Sequence, residues 1–144
     1  MPDSGGVTRL ARRSQDTAAT IAAFVRDGFW PPLVSSVVFT ECLSGRRRDD
    51  VLINRFLKTC EIVEEIPQQL ARRVAALRAA ARRGSAVDAV VVAEAEPGGA
   101  VAEPGGTVLS GDLADLRAVQ VCPHRTESSV EVELHPTWLK KTFP

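Results

Sequence analysis

Residues 83–93 read Arg83-Gly84-Ser85-Ala86-Val87-Asp88-Ala89-Val90-Val91-Val92-Ala93, a helix-starting signal followed at once by an apolar run that holds a single acid. With Ser85 as N-cap, Asp88 falls at the third helical position, where unpaired backbone N–H groups and the positive end of the helix dipole favour a carboxylate anion. Two readings fit. Asp88 reaches back to Ser85 in a capping box, or it is an anion held ready for a ligand. The helix it opens belongs to a wider alternation of strands and helices, the pattern of an α/β fold with a parallel sheet.

Working upstream, Pro67 is a good first-turn residue, and Leu70, Val74 and Leu77 make an amphipathic helix that runs to Arg83, with an Arg-rich face that reads as solvated. Residues 61–66 form a strand candidate, and residues 33–38, a β-rich run after two prolines, have the look of a buried parallel strand. Between them lie a short helix over residues 40–43 and a longer one over residues 46–58. Residues 7–13 read as a first helix, and Ser14 caps a second that ends near Asp27 with Gly28 as its stop. Downstream, Ala95-Glu96-Pro97-Gly98-Gly99-Ala100-Val101 is followed directly by Ala102-Glu103-Pro104-Gly105-Gly106-Thr107-Val108. This near-duplication is rich in Pro and Gly and reads as an enlarged surface loop over residues 95–108, which costs little. Residues 107–110 are a third buried strand, residues 113–119 a short helix and residues 130–134 an alternating edge strand. The expected organisation is one domain over residues 1–134 and a C-terminal tail over residues 135–144.

A chain of 144 residues is long enough for a real core. No apolar run approaches the roughly 20 residues needed to span a bilayer, and the N-terminus lacks the apolar core of a signal peptide, so the expectation is a cytoplasmic protein with no membrane association. Cys42, Cys60 and Cys122 are odd in number and widely spaced, and His124 and His135 stand far from any Cys cluster. Reduced thiols fit this better than a disulfide framework or a zinc site. Residues 1–83 hold fourteen Lys/Arg against nine Asp/Glu, and residues 84–144 hold four against nine, so the halves carry about +5 and −5. Whole-chain charge therefore gives no support to nucleic-acid binding, which would have to come from a local patch.

Ligand sites in open α/β sheets lie beyond the carboxyl ends of the strands. Asp3, Glu41 and Asp112 occupy strand-to-helix turns, and Asp88, at a helix N-terminus, is able to face the same end. Four carboxylates in one pocket repel unless a cation neutralises them, and all-oxygen ligands favour Mg²⁺, with Mn²⁺ as the alternative, over zinc. Such a site suits phosphodiester hydrolysis by metal-activated water.

On four motifs the chain resembles a PIN-domain ribonuclease of the VapC toxin type, over nearly its whole length. They are Asp3-Ser4-Gly5-Gly6, Val37-Val38-Phe39-Thr40-Glu41-Cys42-Leu43, residues 86–93 around Asp88, and Val108-Leu109-Ser110-Gly111-Asp112-Leu113-Ala114-Asp115-Leu116. The resemblance implies a three-layer α/β/α sandwich, a homodimer, RNA as substrate and a VapB-type antitoxin as partner. It makes Asp3, Glu41, Asp88 and Asp112 the catalytic metal ligands, Ser110 a hydrogen-bonding support and Asp115 a secondary acid. Arg46-Arg47-Arg48 is either an RNA phosphate contact or a solvated charge run. Two departures stand out. The strand that leads into the first acid is reduced to Met1 and Pro2, which creates the expectation of an upstream start or a truncated copy with unpaired neighbouring strands, and the duplicated heptad lengthens the Asp88–Asp112 segment. A non-cleaving PIN-like protein that only binds its antitoxin is the rival reading. A receiver-like phosphoacceptor domain is a third, weakened by the lone Asp3 and by the lack of a late Lys beside Asp112.

Overall fold

The computed structural model describes residues 1–81, 84–99 and 106–110. Helix α1 (Ser4–Ala11) opens on Asp3, whose Oδ1 accepts the Gly6 N–H at 2.6 Å. The expected helix thus starts three residues early, because Asp3 itself supplies the N-cap. Ser14 caps α2 (Gln15–Arg26) by accepting from the Thr17 N–H, and Gly28, at φ +81°, ends that unit. Strand β1 (Leu33–Ser35) pairs in parallel with β2 (Glu61–Val63), Val34 opposite Ile62.

Both strands are shorter than expected. After Ser35 the chain curls into a 3₁₀ turn (Ser36–Val38) that runs straight into α3 (Phe39–Cys42). The long helix expected over residues 46–58 is cut to α4 (Val51–Leu57). Its first turn is lost because the Asp50 carboxylate accepts from both the Ser44 N–H and the Ser44 hydroxyl, each at 2.8 Å, which ties residues 44–50 into a loop. Those bonds, the backbone one foremost, hold the Asp50 carboxyl below its usual range. The two long helices, α5 (Gln68–Ala80) and α6 (Ala86–Ala95), pack against each other.

One core gathers Val7 and Leu10 of α1, Val34 of β1, Phe56 and Leu57 of α4, Val74 and Leu77 of α5, Val108 and nearly all of α6. Every residue from Ala89 to Ala95 is buried, as an all-round apolar helix must be. A second parallel pairing joins the two ends of the described chain. The Leu109 N–H donates to the Met1 carbonyl at 2.8 Å, the Asp3 N–H donates to the Leu109 carbonyl at 3.0 Å, and the Met1 amine donates to the Thr107 carbonyl. The short lead-in to Asp3 is therefore paired along one side, where the sequence led us to expect neighbouring strands left open. Of the third strand expected over residues 107–110, this bridge at Leu109 is the part that forms.

The architecture is mixed, with helices around a small parallel sheet, and is compatible with the α/β class. Residues 113–119, 130–134 and 135–144, residues 100–105 of the duplicated loop, Cys122 and both histidines lie outside the described residues. Among the described residues no helix is long and apolar enough to cross a membrane.

Candidate functional site

The parallel bridge between Pro2 and Leu109 decides where the first acid sits. In a parallel pair, the residues that follow the bridge on each strand emerge together, so Asp3 and Ser110 lie side by side. The Ser110 hydroxyl donates to Asp3 Oδ2 while the Gly6 N–H donates to Oδ1. Both side chains are buried, Asp3 at 4% exposure. A carboxylate gripped at each oxygen by a fixed donor has one orientation.

Glu41 is exposed on α3 and lines a cavity of about 580 Å³ together with Ser4, Gly5, Thr8, Arg9 and Arg12. The first turn of α1, capped by Asp3, and the helix that carries Glu41 thus form walls of the same cavity, and two arginines share it. Arginine in a cleft beside carboxylates suits a polyanionic ligand, since guanidinium binds phosphate through paired N–H donors.

Asp88 is half-buried at the start of α6, in a reciprocal capping box. The Asp88 N–H donates to Ser85 Oγ at 3.0 Å, and the Ser85 N–H donates to Asp88 Oδ2 at 2.7 Å. Of the two readings open in the sequence, the cap is the one observed. It engages one carboxylate oxygen and leaves Oδ1 without a hydrogen bond among the described residues. Asp112 and Asp115 lie outside the described residues. Among those described, no group of three His, Cys, Asp or Glu side chains is placed to hold a metal ion. Arg46, Arg47 and Arg48 are exposed on the loop that Asp50 ties down.

Neither described thiol is poised as a nucleophile. Burial raises the Cys42 thiol above its ordinary pKa and pushes Cys60 up to about 11, so both stay protonated near neutrality.

Glu94 was missed in the sequence. It sits on α6 at 0% exposure, its Oε1 accepting from the Ser35 hydroxyl at 3.0 Å and its Oε2 without a hydrogen-bond partner among the described residues. Burial raises its carboxyl to about 7, offset only in part by the Ser35 bond. The signal was one residue past residues 83–93: a second acid within the same apolar run. No family model matches the chain, and no curated protein or solved structure matches it.

Proposed function

We propose that this chain is a Mg²⁺-dependent endoribonuclease of the PIN-domain VapC type, the toxin of a type II toxin–antitoxin pair, built as a three-layer α/β/α sandwich. The observation that carries the reading is the Asp3 turn: a buried carboxylate oriented by Ser110 and Gly6, at the head of a helix whose first turn shares a cavity with Glu41, Arg9 and Arg12. Asp3, Glu41 and Asp88 offer only carboxylate oxygen, the ligand chemistry of Mg²⁺ or Mn²⁺, and Asp112 is the fourth acid in this reading. Bound there, the cation would activate water and stabilise the leaving oxygen of an RNA phosphodiester. The chain's own part is to hold the acids at fixed positions and to seat phosphates on Arg9 and Arg12, with Arg46, Arg47 and Arg48 as further contacts to the RNA backbone. Asp115 is a secondary acid, and a homodimer neutralised by a VapB-type antitoxin in the cytoplasm is the expected setting.

The rival reading, a PIN-like protein that binds its antitoxin without cleaving, draws on Asp88, one of whose oxygens already serves its own helix. Cleavage of RNA by the purified chain in Mg²⁺ separates the two. Asp3→Asn, Glu41→Gln and Asp88→Asn should each lower cleavage by at least ~100-fold, the scale of losing an element of an electrostatic catalytic site, and EDTA should abolish it. Cleavage that persists in EDTA, or in the combined variant, would defeat the nuclease assignment. An inactive wild type that still binds its antitoxin would favour the rival.

A further inference from the structure

The Ser35–Glu94 hydrogen bond joins two elements that carry different candidate acids. Ser35 ends β1 and opens the 3₁₀ turn into α3, which bears Glu41, while Glu94 lies on α6, whose first turn bears Asp88. Both side chains of the pair are at 0% exposure. Helix α6 packs on β1, on the 3₁₀ turn and on α5. β1 and the turn contribute no charge. On α5, Arg73 is paired with Glu96 at 2.6 Å, and Arg72 and Arg78 are exposed. Glu61 of β2 is exposed, and Asp88 on α6 itself is in its capping box. Among the described residues no cation therefore neutralises Glu94, and none donates a hydrogen bond to Oε2.

We propose that Glu94 is a proton-dependent positioning residue: neutral, it fastens α6 to the end of β1 and so sets Asp88 relative to Glu41, and ionised, it loosens that junction. The neutral form costs little to bury, whereas an uncompensated carboxylate in the core is expensive. This inference rests on the nuclease reading for the consequence at the acids, but the junction itself does not.

The sign follows from linkage. Burial raises the folded-state carboxyl to about 7 from an ordinary value of 4.5, so the stabilisation is complete below the unfolded value and is lost as pH rises through about 7. The buried Met1 amine, lowered to about 6 by desolvation, acts in the opposite sense and adds stability as pH rises. Comparison of wild type with Glu94→Gln cancels it.

The experiment is thermal melting of the full chain between pH 5 and 8, with and without millimolar Mg²⁺. Relative to Glu94→Gln, which keeps an acceptor for Ser35 and stays neutral, wild type should lose on the order of 10 °C across this range. Its Mg²⁺-dependent gain at pH 8 should also be smaller than that of the variant. Ser35→Ala, which removes the hydrogen bond from Ser35 that favours the ionised form, should steepen the wild-type fall, and it provides the test if the glutamine variant does not fold. Wild-type and Glu94→Gln curves that run parallel, or a Ser35→Ala curve parallel to wild type, overturn the proposal. Diverging melting curves with no Mg²⁺ gain in any form uphold the junction and instead defeat the acid-site reading beneath it.

Discussion

Gly6 sits where α1 passes closest to the backbone of the other chain end. A Cβ added there would lie 2.5 Å from the Leu109 carbonyl oxygen and 3.0 Å from the Pro2 Cβ, so Gly6→Ala has to push the helix off the ladder that orients Asp3. Alanine is the better helix former by close to 1 kcal/mol, and a purely local view predicts stabilisation. Overpacking against backbone outweighs it, and we expect a net loss of roughly 1–3 kcal/mol, measured as a lower urea midpoint. A midpoint equal to wild type would show that α1 and Leu109 are less firmly docked than the contact implies. In the sequence, Gly5 and Gly6 stand out only as part of the Asp3-Ser4-Gly5-Gly6 motif. Local pattern carries no notice of a backbone so far along the chain, and for the same reason the burial of Asp3 against Ser110 was not legible, although both residues were picked out as site candidates.

At the scale of elements, helices were more legible than strands. The 3.6-residue period of Leu70, Val74 and Leu77 and the Ser14 and Ser85 caps are local signals, and α2, α5 and α6 follow them closely. A three-residue strand carries too little period to fix its end, so Val37 and Val38 read as strand although they form a 3₁₀ turn. The Arg-rich face of α5 read as solvated, yet Arg73 grips Glu96 through two nitrogens at 2.7 and 2.6 Å. The α6 cap separates structure from chemistry. Ser85→Ala removes the acceptor for the Asp88 N–H and should cost about 1 kcal/mol, seen as a lower melting temperature, while leaving RNA cleavage per folded molecule unchanged. Asp88→Asn retains a side-chain oxygen near Ser85 and should cost less stability but remove cleavage. If both variants change only the melting temperature, Asp88 is a cap and nothing more.

Among the described residues an ion pair and two buried side-chain hydrogen bonds join the oppositely charged halves of the chain. Arg73 from the basic half meets Glu96 from the acidic half, and the buried polar pairs Asp3–Ser110 and Ser35–Glu94 cross the same divide. The alternation of elements, and the placing of acids at their starts, could be read from the sequence. Which acids share a space could not, because it depends on the joining of residues 1–3 to residues 107–109. That joining frames the last test. If Asp3, Glu41 and Asp88 answer to one cation, Mg²⁺ or Mn²⁺ should raise the melting temperature of the native chain, by the equivalent of about 2.7 kcal/mol at a hundredfold excess over the dissociation constant. Asp3→Asn is the informative variant, since asparagine caps a helix about as well as aspartate and α1 should survive the loss of charge. Each single amide substitution should remove most of the gain, and pairs should remove little more, because ligands of one ion act as a unit and not as independent sites. Additive losses across the three variants would mean that the acids bind cations separately, and a gain that survives all three would place the ion elsewhere.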